Sequence, residues 1–323
     1  MTKSATRVAA DKATFTQAEV TAKDTAAKAG RKNLILNGGF DVWQRGTSFS
    51  GAAEYSSDRW KTQTSGNLGT TTRSTDAPDT SRYATKIAIT GSAAFLQFGQ
   101  QVEFSNFHRV RGKVVTLSFW AKAAGITSLT SRIRQGTTTE DETALFAAAG
   151  LSVETKTINT AWQKFTHTFT VGANATAIST DFSTGAVVSG NELYIGQVQL
   201  ELGSVATDFE HRSYGEELAL CQRYYWRQNG DMLGTACNVG VSNADLIMRH
   251  PTTMRGTPTG SVIAATAINI NDGSASFSTA INFYNLSTYS ALVRCSTSSA
   301  TVGGAASLSF ANASDWIAFE AEL

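Results

Sequence analysis

The chain has 323 residues, and its 16% of Asp, Glu, Lys and Arg balances to a formal charge of +1. That balance supplies no global field to draw it to nucleic acid or to insert it at an acidic membrane. No apolar run approaches the roughly 18 residues that a membrane span requires, and the opening MTKSATRVAADKATF lacks the apolar segment of a signal peptide.

Residues 1–32 carry seven basic and three acidic side chains and a sparse apolar stripe of Val8, Phe15 and Val20. The pattern predicts a short, mostly helical segment that cannot hold itself in water alone. It is either a flexible tail or a segment that orders against other chains.

From Asn33 the period changes to two, the signature of strands with one buried face. In Lys113–Lys122, Val115, Leu117 and Phe119 alternate with Val114, Thr116, Ser118 and Trp120. In Trp162–Val171, Gln163, Phe165, His167, Phe169 and Val171 share a face. In Glu192–Leu202, Tyr194, Gly196, Val198, Leu200 and Leu202 are expected to do the same. With no long helices interleaved, these strands call for a sandwich rather than a βαβ plan.

Ser213 and Glu216 have capping-box spacing and open a short helix whose buried stripe is Leu218, Cys221 and Tyr224 or Tyr225. The aromatic run Tyr224, Tyr225 and Trp226 is expected to pack against a neighbouring domain or subunit, with sugar stacking as the alternative. Strand patterning resumes at Ser261–Ile270, Ala280–Leu286, Ser290–Arg294, Ser307–Phe310 and Trp316–Leu323, with turn signals at Asn271-Asp272-Gly273 and Gly303-Gly304. The expected fold is therefore all-β. Residues 1–32 form a terminal segment, 33–212 a jelly-roll sandwich, 213–228 a short linking helix and 229–323 a second small β-sandwich.

Chemistry-bearing patterns are scarce. Cys221, Cys237 and Cys295 are widely spaced and form no CxxC, so they read as small buried hydrophobes. Nucleotide-binding, zinc-protease and hydrolase-elbow motifs are missing. His108, His167, His211 and His250 are scattered, and Glu140, Asp141 and Glu142 read as a solvated turn rather than a glycosidase pair. Asp58 and Arg59 beside Trp60 are expected to order a loop onto the core. No catalytic residue is assigned.

Several long segments resemble one family. NLILNGGFDVWQRGTSFSGAAEYSSDRW (33–60) and YIGQVQLELGSVATDFEHRSYGEELALCQRYYWR (194–227) are similar to the hallmark segments of tail fibre proteins of tailed bacteriophages that carry a carbohydrate-binding-like jelly roll. LSFWAKA (117–123), WQKFTHTFTV (162–171) and the closing AFEAEL match the same plan in order. The resemblance implies a virion protein made in the host cytoplasm. It would assemble as a homotrimer, dock other phage tail proteins through its N-terminal segment, and meet a host cell-surface glycan or protein without catalysis. A purely structural or adaptor virion protein and a polysaccharide depolymerase are the alternatives. The family's aromatic mode of glycan recognition makes Trp120, Tyr194, Trp226 and Tyr284 the ligand candidates, while Trp43 and Trp60 read as packing residues. Related modules also hold a structural calcium ion, for which Asp41 and Asn37 are the candidates here. Gly196 and Gln197 stand where an Asp pair is usual, a departure that weakens that expectation.

Overall fold

In the computed structural model, the described residues are 32–322 apart from 52, 67–68, 79, 137–151, 230–232, 241, 264–267, 272–274, 279–280, 297–301 and 311–314. The expectations for residues 1–31 and for Glu140, Asp141 and Glu142 lie outside them. The strands run β1 Ser48–Phe49, β2 Ala53–Tyr55, β3 Lys61–Thr64, β4 Gly69–Ser74, β5 Ala84–Ile89, β6 Leu96–Val102, β7 Val114–Ala124, β8 Ser128–Gly136, β9 Ser152–Thr157, β10 Gln163–Thr170, β11 Ala177–Thr184 and β12 Glu192–Leu202. They continue as β13 Tyr225–Asn229, β14 Gly234–Gly240, β15 Asn243–Arg249, β16 Thr259–Ile263, β17 Ile268–Asn271, β18 Ala275–Ser278, β19 Ile281–Tyr284, β20 Ser290–Ser296, β21 Ala305–Phe310 and β22 Trp316–Glu320. Among the described residues two short α-helices interrupt them, α1 at Phe104–Phe107 and α2 at Tyr214–Gln222.

Two compact units emerge. Among the described residues the first takes 32–39, 50–54 and 62–211, and the second takes 40–49, 55–61 and 212–322. Chain order and unit membership therefore differ, because two early segments belong with the C-terminal part.

The first unit is the jelly-roll sandwich. One sheet contains β4-β5-β12-β7-β10 in that order and the other β3-β6-β11-β8-β9. The core is made by the alternation that the sequence displays: Val115, Leu117 and Phe119 of β7 are fully buried. Phe119 meets Phe182 of β11 across the sandwich at 4.5 Å. The NLILNGG segment has a specific task here. Asn33 accepts hydrogen bonds from the backbone N–H of Ile35 and Leu200 and donates to the carbonyl of Val198, while the Gln100 amide accepts from Leu36 N and donates to Leu36 O. Gly38 has to be glycine, since a Cβ there would sit 2.0 Å from the Val198 oxygen.

Strand β12 departs from strict alternation. Gly196 pairs with Trp120 but Gln199 pairs with Ser118, so three steps on β12 oppose two on β7, a β-bulge. Gln197 within it has φ 47°. The extra residue exchanges the faces, which puts Leu200 beside Leu117 in the core and Tyr194 beside Lys122 on the opposite face. The expectation that Tyr194 shares a face with Val198, Leu200 and Leu202 is corrected accordingly.

The second unit is the second, smaller β-sandwich. It has a three-stranded sheet, β13-β22-β16, and a seven-stranded one, β18-β17-β21-β14-β15-β20-β19. Its core joins Trp226, Leu246, Met248, Val293, Leu308 and Phe319. Ser213 caps α2 by accepting from the backbone N–H of Glu216, as the spacing predicts. The helix then gives way to β13, so Tyr224, Tyr225 and Trp226 are buried within their own unit rather than kept for a neighbour. Asp58, Arg59 and Trp60 are buried too. Asp58 accepts from Gln44, Arg59 pairs with Glu322, and the Arg59 guanidinium lies 3.8 Å over the Tyr224 ring. Arg45 pairs with Glu320 and Glu322, both at 3.1 Å.

Candidate functional site

The outer face of the β4-β5-β12-β7-β10 sheet carries a row of side chains fixed by strand register. Lys86 of β5 stands opposite Tyr194 of β12, which stands opposite Lys122 of β7. Trp162, one residue before β10, meets Tyr194 edge to face with ring centroids 6.2 Å apart and planes at 78°. Lys122 lies 4.7 Å from the Tyr194 ring centre and 5.4 Å from that of Trp162.

Two carboxylates lock the row. Asp76 accepts from Lys122 Nζ at 2.5 Å and from the Trp162 indole N–H at 3.0 Å. Glu192 accepts from Lys86 Nζ at 2.6 Å and from the Tyr194 hydroxyl at 2.9 Å. Hydrogen bonds from Lys122 and Lys86 hold Asp76 and Glu192 respectively below the usual carboxylate range, and the bond to Glu192 raises the Lys86 pKa. Asp76, Glu192 and Lys86 stay charged near neutrality. Trp162, Tyr194, Lys86 and Lys122 are half-buried and Asp76 is exposed. The result is a platform of two nearly perpendicular aromatic faces between paired donors and acceptors, which suits a ligand with apolar C–H faces and hydroxyl edges.

Each candidate from the sequence has a definite place. Tyr194 is in the row. Trp120 is half-buried on the same outer face, opposite Gly196 and Lys164. Gly196 leaves room for the Pro78 ring, which a Cβ would meet at 2.8 Å. Trp226 is 5% exposed, stacks on Phe319 and donates its N–H to His250 at 2.9 Å, so it offers no free face and leaves the candidates. Tyr284 is 45% exposed in the second unit, with the Arg294 guanidinium 5.1 Å from its ring centre. Trp43 and Trp60 are packing residues, both buried. Trp162, Lys86, Lys122, Asp76 and Glu192 were not candidates from the sequence, since only register brings them together.

For calcium, Asn37 falls in the first unit and Asp41 in the second. Among the described residues no group of three or more His, Cys, Asp and Glu side chains is placed to hold a metal. Gln197, at the position where related modules use Asp, spends its amide N–H on Thr80 and Ser81.

On the outer face of the other sheet, β11 presents the buried polar side chains Ser179, Asp181 and Ser183. Asp181 is fully buried and accepts from Arg134 at 2.8 Å, with Arg132 at 3.8 Å. Burial pushes its carboxyl above the usual range despite both arginines. Inside the sandwich, His167 is hydrogen-bonded to the Ser131 and Ser152 hydroxyls at 3.0 and 2.7 Å.

No helix among the described residues is long and apolar enough to cross a membrane. No family model and no curated protein matches the sequence. Among solved structures, a CBM4 structure is similar at 23% identity and TM-score 0.37, over 52% of this chain and 99% of that one. The C-terminal family 22 carbohydrate binding module of Clostridium thermocellum Xyn10B is similar at 14% identity and TM-score 0.33, over 50% and 98%. The enzymatically active domain of bacteriophage CBA120 tailspike protein 4 is similar at 18% identity and TM-score 0.36, over 53% of this chain and 21% of that one.

Proposed function

We propose that the protein is a non-catalytic tail fibre component of a tailed bacteriophage that attaches the virion to a glycan on the host surface through the Trp162–Tyr194 platform. The observation that carries this reading is that row. Two aromatic rings are held open on a sheet face, each hydrogen-bonded to a carboxylate that also binds a lysine. Because each cation is paired with an anion, the platform is close to neutral, and the favoured ligand is an uncharged sugar. The sequence segments resembling phage fibres support the virion context, in which a homotrimer docks through residues 1–32. Three copies of a weak site raise the effective concentration enough to hold a particle.

The test is binding of the full-length protein to host cells and to an array of host-type glycans, with Trp162→Ala and Tyr194→Ala compared with the parent. Each substitution is expected to weaken binding about tenfold or more, equivalent to about 1.4 kcal/mol or above, with the thermal midpoint nearly unchanged. Unaltered binding in both variants would remove the platform from the reading. Release of new reducing ends from host polysaccharide would replace attachment with depolymerisation.

A further inference from the structure

The second unit has an open cleft of about 330 Å³ lined by residues of β13 and β15. Its polar lining is Arg227, Arg249, Gln222 and Gln228, and among the described residues no carboxylate lines it. The apolar part includes Ile247, which is 67% exposed, together with Leu233 and Pro251.

The two arginines differ from others in this unit. Arg45 and Arg59 pair with Glu320 and Glu322, and Arg294 binds Asp245 through two nitrogens. Arg227 and Arg249 have no carboxylate partner among the described residues. Arg227 reaches only the Arg45 carbonyl at 3.5 Å and lies 5.6 Å from the Trp316 ring centre. Each arginine lies on the face of its own strand that points away from the core. Arg249 ends β15 two residues after Ile247, hence on the same face, and Arg227 follows Trp226, whose ring fills the core, so its own side chain takes the other face of β13.

Two guanidinium groups with no counterion among the described residues call for an anion, and their planar forks match a carboxylate in bidentate geometry. The flanking Gln222 and Gln228 amides can both donate and accept, as hydroxyls require. The apolar wall fits C–H surface. The volume is at the low end for ligand pockets, suited to a single ring. We infer that this cleft binds an acidic sugar residue bearing a carboxylate, such as a uronic acid at the end or side of a polysaccharide chain.

The probe is D-glucuronate, titrated into full-length protein and followed by saturation-transfer NMR, with D-glucose and inorganic phosphate run in parallel. Glucuronate is expected to saturate in the millimolar range or tighter, with glucose and phosphate at least tenfold weaker. Arg249→Gln, at an exposed position, should weaken glucuronate at least tenfold, and Arg227→Gln should do the same. Trp162→Ala should leave glucuronate binding unchanged, so failure here and failure of the platform are separable. Absence of saturation, or saturation indifferent to Arg249→Gln, overturns the inference. Phosphate binding as tightly as glucuronate also overturns it, since the cleft would then be a general anion site.

Discussion

His167 and His250 show how burial fixes a protonation state. His167 is enclosed in the first unit with Ser131 on one ring nitrogen and Ser152 on the other, Glu154 at 3.7 Å and Lys156 nearby. Desolvation outweighs the attraction of Glu154 and holds its pKa below the ordinary 6.5. His250 accepts the Trp226 N–H on Nδ1 and therefore donates from Nε2 to the Ser287 carbonyl, which fixes the neutral tautomer, and burial lowers its pKa too. A depressed pKa in the folded state means that the unfolded chain takes up a proton first as pH falls. Stability is then complete above about pH 6.5 and is lost as pH falls toward the folded value. The unfolding midpoint in denaturant should drop from pH 7.5 to 5.5, and His167→Gln with His250→Gln should flatten that slope. Asp58 and Asp181, whose carboxyls burial raises, contribute with the opposite sign from about pH 3.8 upward. They are present in both proteins and cancel in the comparison. Equal slopes in parent and variant would refute the assignment. At this scale the sequence was partly legible. His167 could be placed on an alternating strand, but the serines beside it come from β8 and β9, which no local pattern identifies.

At the scale of elements, the most informative feature is the bulge in β12. Periodicity alone extends one parity through Glu192–Leu202, and on that basis Tyr194 joins Leu200. The inserted residue breaks the parity, and Tyr194 becomes a surface platform instead of core. Its neighbour Trp162 opens a recognisable strand pattern, yet it comes from the other side of β7 and gains its role only when β10 is paired. Cross-strand register similarly explains the Arg134–Asp181 pair, whose residues come from neighbouring strands β8 and β11. Both side chains are nearly inaccessible, so removing one strands the other. Asp181→Ala is expected to cost about 3–5 kcal/mol, read by chemical denaturation. Joint replacement by Asp181→Leu and Arg134→Leu should recover most of that loss, because no buried charge remains. A double variant as unstable as the single one would show that the pair contributes more than mutual neutralisation.

For the molecule as a whole, alternation and turn residues in the sequence were enough to foresee two β-sandwiches with little helix. The two-residue grammar survives in Ser290–Ser296 and Ala305–Phe310, whose buried positions alternate as patterned. Strands Gly234–Gly240 and Asn243–Arg249 were not anticipated, since Gly, Asn and Asp in that stretch blur the alternation. The proposed trimer adds a prediction at this scale: light scattering across a range of concentrations should give three times the 34.3 kDa chain mass. A concentration-independent monomer would count against it.

The interleaving of chain segments between the units has a consequence for biogenesis. Arg59 and its partner Glu322 are 263 residues apart. At the roughly 5–20 residues per second of translation, the ribosome needs on the order of ten to fifty seconds to deliver the second after the first. During that interval the stretch bearing Asp58, Arg59 and Trp60 exists without the chain that will enclose it, while much of the jelly roll has already emerged. The second unit is thus completed only once Trp316–Glu320 and Glu322 have been made, and contacts of such long range slow assembly. The nascent chain would stay vulnerable to proteases at that stretch until the strand Trp316–Glu320 has emerged.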